Sequence, residues 1–396
     1  MDIFKKTEAK YNYDMAREMG VYPYFHELTS GQDTVVQMEG RETIMIGSNN
    51  YLGLTSHPEV IKAGREAIEK YGSGCSGSRF LNGTLQMHLE LENELAKFLR
   101  KEAVVTFSTG FQSNLGIISA IVGRNDYVIC DKDNHASIYD GCKLSYGKML
   151  RYNHNDMENL EKMLQKVPKD AGCLIVTDGV FSMGGDIANL PEIVRLAKKY
   201  GARVMVDDAH GLGVIGEGGR GTASYYGLED EVDIYMGTFS KSLASLGGYM
   251  ASSLEVAEYV RHNSRPFIFS ASIPPVCCAV ALASLRYLES HPEIVDKLSS
   301  LSSYAREGLL KRGLKLRMST DASGKIPTTP IIPIYTYDAI NTLTRAKQLY
   351  DAGVYVNSVL PPATAPTECL LRTSYMATHT EQLLDEAMDI ISKTIL

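Results

Sequence analysis

From about residue 100 to residue 252 the chain alternates short β-branched, apolar runs with longer stretches of helical period, and nothing else in it constrains the fold as strongly. A strand followed by a helix before the next strand can pair must return in parallel, so the pattern describes a mostly parallel sheet packed between helices. The expected strands are 103–107, 127–130, 148–152, 173–177, 203–207, 234–237 and 248–251. The helix expected over 190–200 carries Pro191 in its first turn and Lys198 and Lys199 in its last, as the helix's polarity favours. Two earlier helices, 58–71 and 86–99, flank a loop (72–84) too rich in glycine to be an element interior. After Pro274 and Pro275 a long helix (276–290) leads into further strands near 329–334, 354–357 and 369–374. At 396 residues the chain exceeds what one core serves. The expectation is an N-terminal helical segment (1–45), a large α/β domain (46–275) and a smaller C-terminal α+β domain (276–396).

Composition narrows the class. Hydrophobic residues at 44% and charged residues at 22% are ordinary for a globular protein, and the net charge of −7 argues against a general nucleic-acid binder. Seven cysteines without CxxC spacing suggest neither a disulfide framework nor a zinc site, which fits a reducing cytoplasm. The first twenty residues lack an apolar signal region. The longest apolar stretch, 276–285, is about half of the roughly 20 residues a bilayer crossing requires. A cytoplasmic protein is expected.

Chemistry concentrates at the expected carboxyl ends of the strands. Lys241 sits in Gly237-Thr238-Phe239-Ser240-Lys241-Ser242, with Asp207 and His210 three residues apart upstream. A lysine for a Schiff base, hydroxyls for a phosphate and an acid for a protonated pyridine nitrogen are what a pyridoxal phosphate enzyme needs. Asp207 ends an apolar strand, where a carboxylate is costly to desolvate unless it meets a cation. That cation is a structural arginine or the pyridine nitrogen, with a helix N-cap as another use for the acid. In Ser108–Asn114, Gly110 and Phe111 open a helix and present backbone N–H groups to an anion, unless the segment is an ordinary strand-to-helix turn. His135, past another strand end, has the shape to lie flat on the ring; a lone histidine is more commonly surface or satisfied core.

Together these stretches resemble the α-oxoamine synthases, a branch of the fold-type I pyridoxal phosphate transferases. The resemblance runs from about Asn49 to the C-terminus: Ser-Asn-Asn-Tyr-Leu-Gly-Leu (48–54), Gly-Ser-Arg-Phe-Leu-Asn-Gly-Thr (77–84), Asp-Asn-His-Ala-Ser (133–137), Val-Phe-Ser-Met-Gly-Gly-Asp (180–186), Asp-Asp-Ala-His-Gly-Leu-Gly (207–213), the lysine hexad and Leu-Arg-Thr-Ser (371–374). It implies that Lys241 holds the cofactor and then serves as general base, Asp207 pairs with the ring nitrogen, His135 stacks, and His210 and Ser182 meet the phenolic oxygen. Gly110, Phe111, Thr238 and Ser240 would hold the phosphate. Arg372 would grip an amino-acid carboxylate through its planar fork, with Asn49 or Asn50 reaching the substrate. It further implies a homodimer with shared active sites. Ala271 departs from the relatives' pattern of a hydroxyl crossing to the phosphate, leaving Ser270 or Ser272 of the partner subunit for that contact. Asp208 departs too, standing where glutamate is commoner.

Family members condense an amino acid with an acyl-CoA, losing CoA and carbon dioxide. The lysine hexad and Phe-Ile-Phe-Ser-Ala-Ser-Ile-Pro-Pro (267–275) are most similar to members that join L-serine to palmitoyl-CoA, giving 3-oxosphinganine for sphingolipid synthesis. Pro-Pro-Ala-Thr (361–364) resembles the alanine and pimeloyl-CoA member almost as well, and glycine with acetyl- or succinyl-CoA is a further pairing. A long acyl chain favours peripheral membrane contact, yet no basic amphipathic helix is evident. A non-catalytic scaffold subunit would lack Lys241. A nicotinamide dehydrogenase would need GxGxxG, and Gly213-Val-Ile-Gly216-Glu-Gly218-Gly219 has the wrong spacing.

Overall fold

The computed structural model of the chain describes residues 2–9 and 12–396. Near the N-terminus a hairpin forms from β1 (Val35–Met38) and β2 (Arg41–Met45), turning through Glu39 and Gly40, both at positive φ (50° and 77°). The large sheet then takes β3 (Ala103–Phe107), β4 (Tyr127–Asp131), β5 (Lys148–Tyr152), β6 (Cys173–Asp178), β7 (Arg203–Asp207), β8 (Ile234–Thr238) and β9 (Gly248–Ser252). Their order across the sheet is β3-β9-β8-β7-β6-β4-β5, and β9 alone runs against its neighbours. The expected strands fall within a residue of the observed ones.

The central strands are buried on both faces, as a parallel sheet between helices must be. The helix Leu190–Tyr200 shows how sequence becomes packing. Its Leu190, Ile193, Val194, Leu196 and Ala197 form one buried stripe against Val204 and Val206 of β7, and Gly201 ends it in the left-handed region, at φ 71°. Each fully buried aliphatic side chain contributes about 1.5–3 kcal/mol, so a charge at Ile193 would break the contact.

The remaining strands, β10 (Ile331–Tyr337), β11 (Val354–Tyr355), β12 (Asn357–Val359) and β13 (Cys369–Ser374), serve two small sheets. One has the order β10-β13-β12, and the other β1-β2-β11, so the N-terminal hairpin is completed by a strand more than 300 residues later. Residues 1–45 are therefore helical only in part: beside the turn Ile3–Glu8 and the helix Asn12–Glu18 they supply two strands. The long helix Pro275–Ser290 packs on the helices Pro58–Tyr71 and Gln86–Phe98, and Cys278, Ala281, Leu282 and Leu285 join the large core. On this packing we propose that the large domain extends to about residue 290.

Candidate active site

Three neighbouring strands, β4, β6 and β7, end in Asp131, Asp178 and Asp207 at one edge of the sheet. Beside them, the turn after β8 carries Lys241, and the helix Gly110–Ile121 begins after β3. Between these lies a cavity of about 270 Å³. Lys241, His135, Asp207, His210, Gly110, Phe111, Ser182, Thr238 and Ser240 all line it, so every residue expected to hold the cofactor is in one place.

The asymmetry of this cavity is chemical. At one end Asp207 is buried at 4% exposure; its Oδ2 accepts from Asn114 Nδ2 at 2.7 Å and its Oδ1 from Ala209 N at 3.0 Å. At the other end Thr109 caps the helix through Gln112 N, leaving the Gly110 and Phe111 N–H groups directed outward. A Cβ on Gly110 would stand 2.8 Å from Thr238 Oγ1, so only glycine lets the helix start approach the hydroxyl turn this closely. Thr238 Oγ1 lies 2.9 Å from Ser240 Oγ and donates to Gly247 O at 2.9 Å. For Thr238 to donate to an anion, that hydrogen must turn inward.

Lys241 Nζ borders both this cavity and a second one of about 470 Å³, and its environment supplies no hydrogen bond among the described residues. Burial, reinforced by Arg372, brings its pKa down to about 8 against the pull of Asp207 and Asp178. The amine still carries its proton for most of the time at neutral pH, but its neutral form, which a nucleophile or base requires, is far more accessible than that of an ordinary lysine. Burial likewise lowers both histidines, aided by Lys241 in each case. Asp178 moves the other way: burial and the neighbouring Asp207 raise its carboxyl well above the ordinary range, and its Oδ2 accepts from His135 N at 2.9 Å.

Arg372, on β13, is buried at 4% exposure. Its Nε donates to Ser182 O at 2.5 Å, its Nη1 to Ser374 Oγ at 3.0 Å, and its Nη2 to Asn49 Oδ1 at 3.0 Å and Tyr51 Oη at 3.2 Å. Asn49 therefore touches the arginine. Asn50 instead donates to Thr55 at 2.7 Å and borders the second cavity with a buried Oδ1 that has no hydrogen-bond partner among the described residues. Ser272 is buried and donates to Gly83 O at 2.7 Å, whereas Ser270 only accepts from Gln112 at 3.1 Å. Asp208 faces away from the cavity and binds Thr222 N and Oγ1 at 2.7 and 2.6 Å.

Four residues that sequence reasoning gave no role also belong here: Tyr51, Asn114, Ser137 and Asp178. Asn114 lies one helical turn after Gly110 and links Asp207 to Ser137 Oγ at 2.8 Å, which in turn lies 2.7 Å from His135 Nδ1. Its i+4 spacing from the glycine was the available signal.

A family model for aminotransferase class I and II matches residues 41–391. The chain belongs to that family. It is 49% identical to the serine palmitoyltransferase of Sphingobacterium spiritivorum, over 97% of this chain and 95% of the relative. It is 42% identical to the 8-amino-7-oxononanoate synthase of Geobacter sulfurreducens, over 95% of each. A solved serine palmitoyltransferase variant from S. paucimobilis with bound PLP-myriocin aldimine superposes with a TM-score of 0.94 at 38% identity, covering 100% of this chain and 98% of that one. These relatives place the chain in the α-oxoamine synthase branch. The residues present fit pyridoxal phosphate: free N–H groups and hydroxyls for a phosphate, an unpaired lysine for an aldehyde, and a buried carboxylate for a cationic ring nitrogen.

Proposed function

We propose that this chain is a serine C-palmitoyltransferase, condensing L-serine with palmitoyl-CoA to 3-oxosphinganine, CoA and carbon dioxide. The observation that carries the reading is the placement of an unpaired Lys241 amine and the Asp207 carboxylate on one cavity, in a chain 49% identical to a serine palmitoyltransferase. Pyridoxal phosphate, when bound, supplies an electrophilic aldehyde and an electron-accepting ring. Lys241 would hold it, Asp207 would stabilise positive charge at its nitrogen, and the Gly110 and Phe111 N–H groups with Thr238 and Ser240 would take its phosphate. His135 would pack on the ring, while His210 and Ser182 would serve its phenolic oxygen. Arg372, supported by Asn49, orients the serine carboxylate. The Lys241 amine, whose neutral form burial makes accessible, would take the serine Cα proton.

The 42% identity to the oxononanoate synthase keeps alanine with pimeloyl-CoA as the second reading, followed by glycine with acetyl-CoA. CoA release measured with each amino acid against each acyl-CoA separates them: serine with palmitoyl-CoA should exceed every other pair at least tenfold. Equal or greater release with alanine and pimeloyl-CoA would transfer the assignment. Lys241→Ala should lower turnover by about 10⁴-fold or more, because it removes both the base and the cofactor's attachment. We further propose a homodimer, with Ser270 rather than Ser272 free to cross toward a partner's phosphate, acting in the cytoplasm. No helix among the described residues is long and apolar enough to cross a membrane.

A further inference from the structure

Tyr51 is fully buried, and its hydroxyl lies where three polar groups meet. His210 Nδ1 is 2.6 Å away, Arg372 Nη2 is 3.2 Å away and Asn49 Oδ1 is 3.2 Å away. A guanidinium can only donate, so Arg372 occupies a lone pair of the phenolic oxygen. The phenol has one hydrogen for two groups in reach, Asn49 Oδ1 at 3.2 Å and His210 Nδ1 at 2.6 Å, and the shorter contact is the one to His210. Burial raises the Tyr51 pKa against the opposing effect of Arg372, so that hydrogen stays in place at neutral pH. His210 is held neutral by its burial and by the cations Lys241 and Arg372. A neutral imidazole that accepts at Nδ1 carries its proton on Nε2. Nε2 has no hydrogen-bond partner among the described residues, and His210 borders the cofactor cavity.

Arg372 is nearly spent as well. Of its five N–H groups, four are committed: one to Ser182, one to Ser374, one to Asn49 and one to Tyr51. A carboxylate that takes two of them must displace or weaken one of these bonds.

We propose that Tyr51 is a positioning residue: it fixes His210 as the Nε2–H donor and couples that donor to the arginine that grips the substrate carboxylate. Hydrogen bonds in such a chain polarise one another, so a change at Arg372 is felt at His210 Nε2. The inference rests on the proposed use of serine and pyridoxal phosphate, and it adds a route by which amino-acid binding alters the electronic state of the cofactor before chemistry begins.

The test compares wild-type holoenzyme with Tyr51→Phe, which keeps the buried ring and removes only the hydroxyl. The visible absorbance of the bound cofactor should differ in Tyr51→Phe before any serine is added. Turnover should fall about ten- to a hundredfold, with the serine KM changed less than threefold. Asn49→Ala, which keeps the Tyr51–His210 bond but removes a partner of Arg372, should shift the spectrum in the same direction as Tyr51→Phe and by less. Spectra of Tyr51→Phe that superpose on wild type with and without serine would overturn the inference. Should the variant fold poorly, ¹⁵N-histidine spectra of wild-type holoenzyme decide: the signal lost in His210→Gln must be the Nε2–H tautomer, and an Nδ1–H signal would refute it. A wild-type spectrum that does not respond to serine at all would instead remove the proposed function on which the inference stands.

Discussion

The aspartates that end β4 and β7 stand one strand apart, and their surroundings are built in opposite ways. Asp131 accepts from His154 Nδ1 at 3.1 Å and from the backbone N–H groups of Asp133 and Asn155, both at 2.8 Å. His154 is held from its other nitrogen by Asp186 at 2.6 Å. This cluster ties the turn that carries His135 to the turn that carries Ser182, and both of its buried acids share one imidazole, with Asp131 further bound by backbone N–H groups. Asp207 faces a cavity instead, which Lys241 also lines, its amine without a hydrogen-bond partner among the described residues. Asp178, on the strand between, is pushed toward its neutral form and braces the His135 backbone. Pairing is the signature of a structural acid, and a buried carboxylate with an open face is the signature of a functional one.

The contrast breaks first at the two acids that share the cavity. Asp207→Asn should reduce CoA release by on the order of a thousandfold, the size expected when a preorganised electrostatic contact is removed. Asp178→Asn is isosteric and neutral, like the form that burial already favours, and should keep turnover within about threefold. Comparable losses in the two variants would show that Asp178 acts as a charge and that the contrast is misplaced.

The paired cluster makes the complementary prediction on stability. His154→Ala leaves two buried carboxylates facing each other and should cost about 3–5 kcal/mol in urea unfolding at pH 6. Burial alone would lower the His154 pKa, but hydrogen bonds to Asp131 and Asp186 raise it to about 10 from an ordinary 6.5. A raised folded pKa contributes stability that is fully present below pH 6.5 and is lost as pH rises through 10. The gap between wild type and variant should therefore narrow across that window. A gap independent of pH would mean that packing against Phe181, rather than charge, dominates.

Much of this arrangement was legible in the sequence, for a local reason. In a parallel sheet each strand is a short apolar run and functional residues lie at or just past its end, so Asp207 is marked by the strand it terminates, and His135 and Lys241 by the strands they follow. Register across distant segments is not written locally. The pairing of β2 with β11 depends on a contact between Ile44 and Val354, although the positive-φ pair Glu39 and Gly40 was a readable hairpin turn. Tyr51, Ser137 and Asp178 act through other side chains, Asp178 lying one residue beyond its expected strand end. Spacing likewise left Asn49 and Asn50 equivalent, and only the position of Arg372 on β13 distinguishes them.

The smallest effect concerns the acid next in sequence to Asp207. A Cβ on Gly179, Gly211 or Gly221 would stand 2.3, 1.9 or 2.1 Å from a carboxylate oxygen of Asp208, so these glycines make the room in which it staples Thr222. Burial raises the Asp208 pKa to about 7 from 3.8, only partly offset by the Thr222 hydrogen bonds. Here the folded state binds the extra proton, so the contribution to stability is present below pH 3.8 and declines as pH rises to about 7. Asp208→Asn stays neutral throughout and keeps an oxygen for the Thr222 N–H group. Relative to wild type it should be level or about 1 kcal/mol less stable near pH 4, and level or about 1–2 kcal/mol more stable at pH 8, with CoA release within about threefold. A variant that instead loses ground as pH rises, or that loses turnover as Asp207→Asn does, would show that Asp208 serves the site as an ion and not the loop as a staple.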